Sequence, residues 1–156
     1  MRKCSAASAY LTAILLVAAL GSTPTLGAPA NSFNAKASSL ADAARLGEQI
    51  FASDTFGGKR MFNGQPATCA SCHSNNGKSQ GKLPNGAAIP SLVGAAAGFP
   101  KFNARTHEVV TLEGQVTRCV KGALQGKPPA ADSPEMANLI TYLTSLSKGA
   151  VMGHQF

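Results

Sequence analysis

The sequence predicts an all-α domain, and three observations carry that reading. Apolar residues recur at helical spacing near 40–52, 111–124 and 134–148. The stretches between them hold clusters of Gly, Pro and Asn that read as loops. Between the first two helices lies Cys69-Ala70-Ser71-Cys72-His73, a C-x-x-C-H pattern with no βαβ setting around it. The whole chain of 156 residues is enough for one domain.

The first helix is capped by Ser39 and runs from Leu40 to about Ala52. Leu40, Ala43, Ala44, Gly47, Ile50 and Phe51 form its apolar face. Gly47 is a poor helix former, and its use is close contact with a second helix. Residues 54–68 and 74–87 read as loops, the first containing Gly57-Gly58, Asn63-Gly64 and Pro66. The helix at 111–124 places Leu112, Val116, Cys119, Val120 and Ala123 at three- and four-residue steps, and Gly126 and Pro128-Pro129 end it. In the last helix Ser133 is the N-cap, Pro134 takes the first position and Glu135 is acidic in the first turn. Met136, Leu139, Ile140, Leu143 and Leu146 face inward, and Lys148-Gly149 closes the helix.

The C-x-x-C-H pattern is the attachment signal of a c-type haem. Each thiol adds to one vinyl group, and the two-residue spacer lets both sulfurs meet the same porphyrin edge. His73 then falls beneath the iron, where its imidazole ligates. A zinc site needs another ligand pair, which the sequence lacks. Ile89-Pro90-Ser91-Leu92-Val93-Gly94 is a defined turn with a free proline carbonyl. That carbonyl, facing His73, would accept from Nδ1 and leave Nε2 for iron.

Haem biogenesis of this kind goes with export, and the N-terminus agrees. Arg2 and Lys3 precede an apolar run from Tyr10 to Leu20, the length of a signal-peptide core and too short to span a bilayer. Ala28-Pro29-Ala30 has the small-x-small form of a cleavage site, with Gly27 as the rival position. The expected organisation is a signal peptide at 1–30, a flexible lead-in at 31–38, the folded domain at 39–150 and a tail at 151–156, in the periplasm and with no membrane anchor in the mature chain. Loss of Arg2 and Lys3 lowers the formal charge from +7 to +5, a mild positive balance. No basic run interleaved with aromatics suggests nucleic-acid binding. Cys4 leaves with the signal, so Cys119 remains as a single thiol beside the haem pair.

The order of these pieces resembles the class I cytochrome c fold, helices packed around one covalently bound haem. The resemblance rests on Gly47 and Phe51, Cys69 to His73, Pro90 to Gly94, and Asn138 to Leu143. It implies that Pro90 supports His73 and that Gly47 and Phe51 pack against the Tyr142 helix. The sixth iron ligand of the commonest members is a methionine before the last helix, and 124–132 contains none. Met61, Met136, Met152, His107, His154 and Cys119 are the groups that remain.

A narrower resemblance favours Cys119. Gly98 to Arg105, Thr111 to Gly114, Cys119, Gln125 to Pro128, Asp132 to Met136, Tyr142-Leu143 and Leu146-Ser147 look like the haem domain of thiosulfate dehydrogenase. In that family the matching cysteine ligates iron opposite the histidine, which implies His73 and Cys119 as the axial pair. Arg105 matches a family arginine that would steady an anionic substrate. The chain departs at Gln115 and Ala123, where the family has arginine and serine, and it carries one C-x-x-C-H. The resemblance therefore implies first an exported monohaem electron carrier linked to sulfur oxidation, working with a redox protein such as another cytochrome. The alternative is a thiosulfate-oxidising enzyme, or a haem subunit of one, with Cys119 and Arg105 catalytic and thiosulfate or another small sulfur anion as substrate. A haem sensor or bound cytochrome subunit is the third class.

Overall fold

The computed structural model describes residues 35–153. The signal segment, Cys4 and His154 lie outside the described residues, as do part of the lead-in and of the tail. Helix α1 spans Leu40–Ser53, and Ser39 Oγ accepts from the Asp42 N–H at 3.1 Å. A hairpin of β1 (Met61–Phe62) and β2 (Gln65–Pro66) leads to the short helix α2 (Cys69–Cys72). A second hairpin pairs β3 (Gly81–Lys82) with β4 (Ala88–Ile89). After a 3₁₀ turn at Ala95–Gly98, a third pairs β5 (Lys101–Asn103) with β6 (Glu108–Val110). Helix α3 (Leu112–Cys119) runs into a π turn at Val120–Leu124, and α4 (Pro134–Ser145) completes the domain.

The architecture is thus a mixture of helices and small antiparallel pairs, which corrects the all-α expectation in part. The core belongs to the helices: Ile50, Phe51, Val116, Val120, Leu124, Met136, Leu139, Tyr142 and Leu143 are all buried together. The strands are two or three residues long and close loops. Asn63-Gly64 shows why: both residues have positive φ, 50° and 79°, the twist of a two-residue hairpin turn. The helix expected through Leu124 is continuous, but its last turn widens to π before Gln125 closes it in the left-handed region.

Helices α1 and α4 cross at Gly47. A Cβ there would run into the Asn138 carbonyl and come within 2.7 Å of Tyr142 Cβ. One turn on, Phe51 packs on Tyr142 with ring centroids 5.6 Å apart. The Tyr142 hydroxyl donates to the Asn76 carbonyl at 2.6 Å and lies 3.4 Å from Glu48 Oε1. Burial, followed by Glu48, pushes that phenol up to about 12. Lys78 Nζ reaches the same carboxylate at 2.8 Å, and Asn76 Nδ2 donates to it at 3.2 Å. The crossing therefore tethers the loop that follows Cys72.

The far ends of α1 and α4 meet differently. Asp54, which follows α1, acts on Glu135, in the first turn of α4: burial first, then Asp54, raises the Glu135 carboxyl to about 7 from an ordinary 4.5.

Gly47→Ala should lower stability by about 1–3 kcal/mol through overpacking against backbone that cannot retreat, read as a shifted denaturant midpoint with unchanged slope. Glu135 has a raised folded pKa, so the unfolded chain ionises first and stability falls as pH rises from about 4.5 to 7. In Glu135→Gln the thermal midpoint should vary less over that window than in the wild type. An identical pH profile would show that the Glu135 carboxyl carries no folding free energy.

Candidate functional site

The site begins at a one-turn helix. The Thr68 N–H donates to Ser71 Oγ at 3.0 Å, and the two hydroxyls lie 3.3 Å apart, a capping arrangement that starts α2 at Cys69. Cys69 and Cys72 are three residues apart on a helical turn, so both sulfurs sit on one face. The His73 N–H closes the turn on the Cys69 carbonyl at 3.0 Å, and its backbone leaves the helix in an extended conformation. Its ring packs near Phe51 at 6.2 Å between centroids. Gly81 covers the turn from outside, where any side chain would strike the Cys72 carbonyl.

These residues open into a cavity of about 320 Å³. Phe51 from α1, Leu139 and Leu143 from α4, and Val116, Val120 and Leu124 from α3 and its π turn supply one set of walls. Leu83, Ile89, Leu92 and Phe99 supply the other. Cys69, Cys72 and His73 line the floor. The shape is an apolar slot with two thiols and one imidazole on its floor and a third thiol, that of Cys119, in its lining. That donor set fits a large flat apolar group joined through two thioethers and ligated by nitrogen. Among the described residues no three His, Cys, Asp or Glu side chains converge to hold a bare metal ion.

The sulfurs and imidazole respond to this burial. The accessible surface of Cys69 faces the cavity, while the surrounding protein, aided by the nearby Cys119, pushes its thiol up to about 12. Burial also raises Cys72, against the pull of the nearby Arg60. Burial lowers His73 below its ordinary value, and the Pro90 carbonyl partly offsets this. That carbonyl is near Nδ1 without meeting full hydrogen-bond geometry, so Nδ1 is buried and unpartnered. Pro90 itself is held by its neighbours: the Leu92 N–H donates to the Gly77 carbonyl at 2.7 Å and the Gly94 N–H to Leu146 at 3.1 Å.

Cys119 is at the end of α3, where it is exposed yet also lines the cavity, so it stands at the mouth. Gln115, one turn earlier, donates from Nε2 to its Sγ at 3.5 Å. The other groups considered for iron are elsewhere. Met136 is buried in the core and absent from the cavity wall, Met61 and Met152 are exposed, and His107 sits in the β5–β6 turn. Arg105 is in that same exposed turn, its N–H bonded to Asn103 Oδ1, and is not part of the wall. Arg118 pairs with Glu108 at 3.0 Å.

Arg60 also belongs to the surroundings of the site. Its Nε donates to the Ala123 carbonyl at 3.1 Å, its N–H to the Leu124 carbonyl at 3.2 Å, and its charge acts on Cys72. It pins the π turn to the segment that leads to α2. Only the long-range pairing reveals this, since a lone arginine in a glycine-rich loop carries no local signal.

The family model described as SoxA/TsdA, cytochrome c domain, matches residues 57–152. A thiosulfate dehydrogenase of Allochromatium vinosum is 30% identical over 152 residues, covering 94% of this chain and 53% of that protein. One from Stutzerimonas stutzeri is 28% identical over 119 residues, covering 76% of this chain and 36% of the relative. This chain therefore spans about half or less of the length of these curated relatives. Among solved structures, thiosulfate dehydrogenase TsdBA from Marichromatium purpuratum shares the fold with a TM-score of 0.58 at 19% identity, over 80% of this chain and 26% of that one.

Replacing both Cys69 and Cys72 by Ala should leave a chain from which haem absorbance separates in denaturing electrophoresis. Each single variant should retain one thioether and keep haem stain on the band. Stain that stays with the double variant would place attachment elsewhere.

Proposed function

The chain belongs to the SoxA/TsdA cytochrome c domain family, and from that premise we propose that it is an exported monohaem electron carrier whose iron is held between His73 and Cys119. Its cofactor is haem c, attached through Cys69 and Cys72, and its relatives link it to sulfur oxidation. When bound, haem c supplies one-electron exchange between ferric and ferrous iron. The chain's own residues set the terms of that exchange. His73 would offer Nε2 to the iron, with the nearby Pro90 carbonyl placed to favour a proton on Nδ1. Apolar walls exclude water and lower the local dielectric, which raises the weight of every charge left inside. Cys119, as a thiolate ligand, would favour the ferric state and a low reduction potential.

The observation that carries this reading is an elimination. Of the Met, His and Cys side chains considered for the sixth position, Cys119 alone among the described residues lines the cavity. The expected organisation remains a signal peptide at 1–30, a lead-in at 31–38, a domain at 39–150 and a tail at 151–156, with delivery to the periplasm. No helix among the described residues is long and apolar enough to cross a membrane. The partner is a redox protein, such as another cytochrome, approached by a mildly basic surface.

A thiosulfate-oxidising role is the second reading, favoured by the named relatives. Cys119 at the cavity mouth would meet the anion. Arg105, in the exposed β5–β6 turn, would have to act from outside the wall, which weakens its part in this reading.

Cys119→Ala should abolish the thiolate signature of the ferric spectrum while leaving haem attached. An unchanged ferric spectrum would remove Cys119 as a ligand. Purified holoprotein given thiosulfate and ferricyanide should show no turnover if it is a carrier only. Sustained ferricyanide reduction, lost in Cys119→Ala, would establish the enzyme reading instead.

A further inference from the structure

The cavity wall is apolar almost throughout, so its few polar side chains stand out. Thr68 is occupied with Ser71, and His73 faces Pro90. Gln115 is the remaining one, half-buried between Leu112 and Val116 on the inner face of α3. A carboxamide in such a wall costs free energy unless it finds a partner. Its partner is sulfur: Nε2 lies 3.5 Å from Cys119 Sγ. The four-residue spacing stacks the two side chains on one helical face. The helix stays α through Cys119 and changes to π only afterwards, so the pair keeps its spacing while the downstream turn shifts.

We propose that Gln115 is the positioning residue of the sixth iron ligand: it orients the Cys119 sulfur into the cavity and withdraws electron density from it through an amide N–H···S bond. The inference rests on Cys119 being that ligand. A neutral thiol is a poor acceptor, whereas a thiolate accepts strongly, so the donor matches a sulfur that carries negative charge. The amide supplies a proton donor with no compensating charge. The neighbouring arginines have other partners: Arg118 is paired with Glu108, and Arg60 donates to the Ala123 carbonyl while its charge acts on Cys72. A hydrogen bond to a ligating sulfur weakens its donation to ferric iron and raises the potential above that of the bare thiolate.

The test compares holoprotein of the wild type, Gln115→Leu, Gln115→Glu and Cys119→Ala by redox titration and by the sulfur-to-iron charge-transfer band of the ferric form. Gln115→Leu keeps a side chain of comparable bulk and removes the donor. Its potential should fall and its band should shift, with an unchanged haem content. Gln115→Glu should fall further, since an ionised carboxylate cannot donate and repels the sulfur. If Leu fails to yield holoprotein, the Glu variant carries the comparison. Wild-type potential and band in the variants, with a changed spectrum in Cys119→Ala, would overturn the role of Gln115 and leave the ligand in place. A potential that moves with no movement of the band would also overturn it, since wall polarity alone would explain that result. An unaltered ferric spectrum in Cys119→Ala would overturn the ligand and the inference together.

Discussion

Gly47 has no side chain, and α1 can lie against α4 only because of it. The backbone of Asn138 occupies the space where a Cβ would stand. From that contact the rest follows in order along α1. Glu48 comes next and meets Tyr142, Asn76 and Lys78; Phe51 follows one turn later and lies between Tyr142 and His73. The Lys78–Glu48 pair is partly exposed and contributes about 0–1 kcal/mol, so it is not what holds the helices together. The aromatic contacts of Phe51 are worth about 0.5–1.5 kcal/mol each beyond the area they bury, and the apolar core adds more. Packing at the crossing therefore dominates, and the polar network orients the attachment loop upon it.

The cavity is the consequence of that arrangement. Helices α1 and α4 present one wall, α3 a second, and the segment around Pro90 a third, and the C-x-x-C-H turn enters where they meet. The polarity that survives in the wall is sparse: chiefly an imidazole on one element and a sulfur with its amide donor on another. A site built this way separates two tasks. Apolar residues provide the binding free energy of a large flat group, and a handful of polar atoms set its electronics. The π turn after Cys119 adds a device of its own. Arg60 grips its carbonyls, so the end of α3 is tied to the loop that delivers Cys69 and Cys72.

Much of this was legible in the residues because the signals are local. Ser39 and Ser133 each cap a helix with their own hydroxyl, recognisable from their place before an apolar periodic run; Thr111, expected as the first residue of its helix, caps it instead. The haem motif is a fixed spacing with a chemical reason. The hairpins were harder. Asn63-Gly64 was a turn signal in plain view, yet its flanking strands are only two residues long and show no alternation to read. Residues 101–110 offered no periodicity at all, and their pairing places Arg105 and His107 at an exposed turn.

What the sequence by itself determined is the chemistry available: two thiols and a histidine at attachment spacing, helices with defined starts, a glycine fit for a close crossing, and a third cysteine with no covalent partner. These depend on residue identity and short-range spacing. The tertiary structure decided which distant groups share a space. It brought Cys119 and Gln115 to the cavity, buried Met136 in the core, and left Arg105 on the surface. Such choices depend on how helices cross and where a turn widens, and both are set by packing against residues far away in the chain.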